Sequence, residues 1–97
     1  MSAHARDDLD EPVLLELLAL DEAGFRNKFR GTAILRTKRR GLLRNVCVAL
    51  GNIGGAEALP ALRAASEDPE PLIAEHAKWA LERIRTRLYA LSCQPTP

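Results

Sequence analysis

The stretch Leu42-Leu43-Arg44-Asn45-Val46-Cys47-Val48-Ala49-Leu50-Gly51-Asn52-Ile53 decides how this chain folds. Leu42, Val46, Ala49, Leu50 and Ile53 stand at i, i+4, i+7, i+8 and i+11, an apolar stripe at the helical period. Shifted by 31 positions, they fall on Ile73, Ala77, Ala80, Leu81 and Ile84, the stripe of a second long helix that continues through Leu88 and Leu91. Between the two lie a shorter apolar segment and two breaks, Gly54-Gly55 and Glu67-Asp68-Pro69-Glu70-Pro71. Two helices per unit with a period just above 30 residues is the pattern of an α-solenoid. A unit of that kind buries both faces only when neighbours cover it, and this chain holds about two hairpin units.

Working outward, the first long helix should run from Arg36 or Lys38 to Asn52 or Ile53, closed by Gly54-Gly55. Before it, Pro12 opens a short helix over Val13–Leu20, with Pro in the first turn where its missing N–H does no harm. Asp21 reads as the N-cap of a second short helix whose apolar face is Phe25 and Phe29, and Gly31-Thr32 breaks it. After the glycine pair, Ala56 to about Ala65 forms a helix burying Leu59 and Leu62, with Pro60 near its start. Asp68-Pro69 reads as cap plus first residue of the second long helix. Nothing reads as a strand, so the expected class is all-α. The expected organisation is an acidic flexible N-terminus over 1–11, a helical repeat domain over 12–91 and a disordered tail over 92–97.

The chain has 97 residues, enough for one modest core that hides roughly 60–65% of the unfolded surface. Hydrophobic residues make up 46% and charged residues 28%, a globular rather than a disordered composition. The longest apolar run near the start is broken by Glu16, well short of the ~18–20 residues of a membrane span. The opening from Met1 to Glu11 is acidic and polar, unlike a signal peptide. A cytoplasmic helical module, with no membrane partner, is the expectation.

A net charge of +1 conceals a polarised chain. Met1 to Glu22 carries seven acids (Asp7, Asp8, Asp10, Glu11, Glu16, Asp21, Glu22) against one base, Arg6. Ala23 to Ala56 carries no acid and eight bases: Arg26, Lys28, Arg30, Arg36, Lys38, Arg39, Arg40 and Arg44. Arg36, Arg40 and Arg44 stack along one ridge if the helix begins early enough, and like charges at that spacing each cost ~0.2–0.5 kcal/mol. Bases at a helix start also oppose the macrodipole. Folding gains nothing from such an arrangement, whereas an anionic partner would. Guanidiniums bind phosphates bidentately, and Asn45 and Asn52, two turns apart, add hydrogen-bonding capacity for sugars or base edges. The competing account is a solvated basic face, or one that pairs with the chain's own acidic start.

Enzyme chemistry finds little support. His4 lies in the acidic tail, and His76 sits beside Glu75 with no Ser or Cys placed to form a nucleophile pair. Cys47 falls opposite the first stripe, as a small filler or semi-exposed thiol, and Trp79 at the border of the second, as an anchor under the neighbouring helix in preference to a base-stacking residue. Cys47 and Cys93 stand 46 residues apart with no CxxC, too few for a cysteine-held cluster.

The run Phe25-Arg26 … Phe29-Arg30-Gly31-Thr32-Ala33-Ile34-Leu35-Arg36-Thr37-Lys38-Arg39-Arg40-Gly41-Leu42-Leu43-Arg44-Asn45, then Ala49-Leu50-Gly51-Asn52, resembles the C-terminal region of tRNA epoxyqueuosine reductases. Glu75-His76-Ala77-Lys78-Trp79-Ala80-Leu81 resembles the Glu-His…Trp-Ala-Leu motif of that family. The likeness covers about Val13 to Ile84. Its Phe-Arg-Gly-Thr…Arg-x-Lys-Arg-x-Gly-Leu-x-Arg-Asn run is specific, while Ala-Leu-Gly and Trp-Ala-Leu alone indicate only HEAT-like repeats.

That resemblance implies a HEAT-like α-solenoid fragment from enzymes of queuosine biosynthesis, which reduce epoxyqueuosine at the tRNA wobble base using cobalamin and two 4Fe-4S clusters. It implies that Arg36, Lys38, Arg39, Arg40, Arg44 and Asn45 face the anticodon stem-loop. With Arg26 and Arg30 from the charge reading, these are the candidate nucleic-acid-binding residues. The family's catalytic and cluster domains lie upstream of this region. The chain is therefore expected to hold no cofactor, to bind tRNA rather than catalyse, and to be a separated domain or a free-standing derivative. The alternative from another class is a protein–protein adaptor, or a cap docking on the upstream domains.

Overall fold

The computed structural model describes residues 10–92, and the expectations for 1–9 and 93–97, including His4 and Cys93, lie outside them. Five α-helices follow in order: α1 Glu11–Leu18, α2 Glu22–Lys28, α3 Lys38–Ile53, α4 Leu59–Ala65 and α5 Pro71–Ser92. Single 3-10 turns precede α3 (Ala33–Thr37) and α4 (Ala56–Ala58). The described residues include no strand.

Local chemistry explains the short elements. Pro12 occupies the first turn of α1. The Asp21 carboxylate accepts from the Gly24 N–H at 2.7 Å, so the expected cap of α2 forms. Phe25 is buried against Phe29, ring centroids 5.3 Å apart and tilted. Gly31, at φ 76°, takes a left-handed turn out of α2.

The core joins Leu14 and Leu18 of α1, Leu43, Val46, Cys47 and Leu50 of α3, Ala58, Leu62 and Ala65 around α4, and Ile73, Ala77, Ala80, Leu81 and Ile84 of α5. Each fully buried Leu or Ile among them stabilises by about 1.5–3 kcal/mol before ordering entropy is charged against it.

On α5, Ile73, Ala77, Ala80, Leu81 and Ile84 are buried as the sequence predicts and Leu88 is half-buried; the stripe of α3 is rotated by one residue. Leu43, Cys47, Gly51 and Gly54 face inward, Leu42 and Ala49 are only half-buried, and Ile53 is 55% exposed. Burial on α3 therefore maps onto burial on α5 at a shift of 30: Leu43 to Ile73, Cys47 to Ala77, Leu50 to Ala80, Gly51 to Leu81. The reason is close approach. A Cβ on Gly51 would lie 2.6 Å from Trp79 Cζ3 and 3.2 Å from the Ala80 Cα, and one on Gly54 would lie 3.2 Å from Ile84 Cδ1. A pattern that scores only apolar side chains cannot register a glycine as a core position. Cys47, expected opposite the stripe, is fully buried for the same reason, and burial pushes its thiol up to about 12.

Two further expectations change, and the start of α3, expected at Arg36 or Lys38, is settled. α5 begins at Pro71 rather than Pro69, because Asp68 turns its carboxylate onto the Glu70 N–H at 2.9 Å and holds the chain in a loop. Leu59 is half-buried at the edge of the core, and Ala58 and Leu62 take the interior. α3 begins at Lys38, and Arg36 belongs to the 3-10 turn before it. Lys38 has φ 66° and ψ 158°, so the path of the chain changes there and Arg36 is out of line with Arg40 and Arg44. The expected three-residue ridge is reduced to two.

Candidate nucleic-acid interface

The eight candidate residues separate into two groups of three and two single residues, Arg36 and Arg39. Arg26 and Arg30 of α2 and Lys38 at the start of α3 line one depression together with Glu22, Phe25 and Leu35. Arg26 also meets Glu22 of its own helix at 3.3 Å, and Arg30 donates to Asn27 Oδ1 at 3.1 Å. Both contacts are exposed, and surface pairs of this kind hold a side chain weakly.

Arg40, Arg44 and Asn45 form the second group on the exposed side of α3. Lys38 and Arg40 border a depression that also holds Glu22 and Glu70, yet neither base lies within ion-pair distance of an acid among the described residues. Arg36 is exposed on its 3-10 turn. The row that begins with Arg40 and Arg44 continues at the same four-residue spacing to Val48 and Asn52, away from Arg36.

Arg39 stands alone. Its Nε donates to the Leu20 carbonyl at 2.8 Å, and its terminal nitrogens meet the Asp68 carboxylate at 2.5 and 3.4 Å. The two side chains are only 17% and 11% exposed. This bidentate pair ties the α1–α2 link and the α4–α5 link to the start of α3. The hydrogen bond from Arg39 holds the Asp68 carboxyl below the usual carboxylate range, and Asp68 raises Arg39 in return. Arg39 shares the sequence run of its basic neighbours, but its guanidinium is committed inside the fold. Nothing in the run distinguishes it: its partner lies 29 residues away.

Trp79 lies over Gly51, as an anchor should, yet remains 40% exposed. With Val48, Glu75 and His76 it lines an open groove between α3 and α5. His76 is half-buried, its Nδ1 2.8 Å from the Leu72 carbonyl oxygen. The described residues contain no group of three or more His, Cys, Asp or Glu able to hold a metal. Cys47, with its raised thiol inside the core, is unsuited to ligating a cluster. No helix among them is long and apolar enough to cross a membrane.

No family model and no solved structure matches the chain. Curated proteins do: it is 44% identical to the epoxyqueuosine reductase of Xanthomonas campestris over 78 residues, 79% of this chain and 22% of the relative. It is 39% identical to that of Shewanella oneidensis over 85 residues, 84% of the chain and 22% of the relative. With that of Escherichia coli it shares 37% over 76 residues, 78% of the chain and 20% of the relative. The chain thus spans about a fifth of the length of these relatives.

Proposed function

We propose that this chain, which over its matched segment belongs to the epoxyqueuosine reductase family, is a HEAT-like tRNA-binding module. It holds the anticodon stem-loop of a tRNA through phosphate contacts and does not catalyse the reduction by itself. The observation that carries the reading is the exposed basic surface formed by Arg26, Arg30 and Lys38 around one depression, with Arg36, Arg40 and Arg44 beside it. Guanidinium and ammonium groups left to solvent in this density suit a polyanion, and their contacts are independent of base sequence. The 30-residue correspondence in burial between α3 and α5 supports the HEAT-like description. In a full-length relative this module would work beside the catalytic domains, where the cobalamin and iron–sulfur chemistry resides.

A second reading, a cap that docks on those domains, draws on Ile34 and Leu35, which are exposed next to the basic residues. Fluorescence anisotropy of a labelled anticodon stem-loop, titrated with the chain at two salt concentrations, separates the two. RNA binding gives a log–log salt slope of roughly −3 to −5 for four to six phosphates. The double substitution R40A/R44A should lessen that slope by about 1.4–1.8 and leave helicity unchanged. Affinity unchanged in the double variant, or no binding at low salt, would refute the phosphate reading.

A further inference from the structure

We propose that the groove lined by Val48, Glu75, His76 and Trp79 is a stacking site for one unpaired nucleobase, guanine by its donor pattern, of the RNA that the basic surface holds. The inference rests on the RNA reading above and extends it to side chains that the charge pattern does not include.

The groove is built around an indole held in place. The benzo edge of Trp79 lies against Gly51, where a Cβ would come within 2.6 Å of the ring, so this glycine lets that edge approach the α3 backbone. Trp79 is also the wall between two depressions on α5: one with Glu75 and His76, the other with Arg83 and Arg87. The Arg83 guanidinium stands 5.3 Å from the ring centroid. Arg87 is in turn fixed by donating to the carbonyls of Gly51 and Gly54 at the end of α3. A large apolar ring is thus kept partly open to solvent and restrained by its neighbours, as a stacking platform requires.

Continuity with the basic surface supplies the occupant. Arg40, Arg44, Val48 and Asn52 form one row at four-residue spacing on α3, and Val48 is the member that enters the groove. A strand whose phosphates lie on Arg40 and Arg44 therefore has its next base at the groove mouth. Glu75 excludes the phosphate itself by charge, so a base enters and the backbone stays outside. The Leu72 carbonyl can only accept, so His76 Nδ1 carries a hydrogen. The Glu75 carboxylate offers acceptors only. Guanine, with adjacent N1–H and N2–H donors, matches the two oxygens of Glu75.

The chain has a single tryptophan, so its fluorescence reports the Trp79 indole alone. Emission excited on the red edge of the indole band is followed while an RNA hairpin with a guanine-containing loop is added. The same hairpin with an abasic loop serves as control, and anisotropy records binding in parallel. The proposal expects quenching by the first hairpin and little by the second. It also expects Trp79→Ala to weaken the first about 5- to 150-fold with an unchanged salt slope, and Trp79→Phe to recover part of the loss. If the hairpin binds by anisotropy without moving the emission, and W79A binds as tightly as the parent, the stacking site is refuted while the phosphate reading survives. Should neither hairpin bind, both readings fall, and the groove is left as a seat for polypeptide. Should W79A not fold, by circular dichroism, the parent emission and W79F decide the question.

Discussion

Replacing Arg39 with alanine tests the division of the basic run into one inward and several outward residues. Its guanidinium makes two close charge-assisted hydrogen bonds, to Asp68 at 2.5 Å and to the Leu20 carbonyl at 2.8 Å, and a longer one to Asp68 at 3.4 Å. Hydrogen bonds to charged groups contribute ~1.5–3 kcal/mol each when well shielded. At 17% and 11% side-chain exposure the pair is neither fully buried nor freely solvated, so the lower end applies, and removal should cost about 2–4 kcal/mol. A domain this size has roughly 5–15 kcal/mol in total, and with a urea m-value of about 1–2 kcal/mol/M the midpoint should fall by at least ~1 M. Urea unfolding followed by helical ellipticity measures this. The acid limb gives a second readout. Asp68 has a folded value below its unfolded one, ~3.9, so its contribution is complete above about pH 4 and is lost as pH falls through the folded value. R39A should therefore be less stable near neutrality and show a shallower loss of stability below pH 4. An unchanged midpoint, combined with an RNA affinity as weak as that of R40A/R44A, would refute the inward assignment.

Two further substitutions test the packing of α3. G51A should destabilise by about 1–3 kcal/mol despite the better helix propensity of alanine, because its Cβ would meet Trp79 at 2.6 Å and the Ala80 Cα at 3.2 Å; thermal unfolding measures it, and a stabilised variant would deny the close approach. L43A should cost about 2–5 kcal/mol and I53A under ~0.5 kcal/mol, since Leu43 is fully buried and Ile53 is 55% exposed. The reverse order in urea would restore the 31-residue register.

Helix existence was legible because the information is local. The Asp21 cap, the Pro12 start and the α5 stripe each lie within a few residues of their effect. Rotation of the α3 stripe was not, since the deciding residues are glycines whose value as core positions depends on a helix some 30 residues away. The start of α5 turned on a choice between two prolines, settled by the Asp68 side chain binding both Glu70 and Arg39. Of the candidate interface, the charge excess over 23–56 was plain. Which cations remain outside was not: Arg39 and Arg40 are adjacent in sequence and differ only in what the fold brings to them. Trp79 was read correctly as a packing residue, but the exposure left after packing depends on how little of α3 lies beneath it.

The backbone at Lys38 bears on the proposed phosphate contact. At φ 66° and ψ 158° it occupies a region nearly reserved for glycine, a conformation that costs ~1–3 kcal/mol. Glycine at this position would relieve the strain, and the chain carries a lysine there instead. The like-charged pair Arg40 and Arg44 adds a smaller penalty in the same place. Arg39, set between Lys38 and Arg40, recovers part of that loss through Asp68, which holds the start of α3 to the rest of the fold. Strain and repulsion on the outward residues, with a tether on the inward one, are what the proposed phosphate-binding surface would require if the free energy of holding it open were returned only on binding.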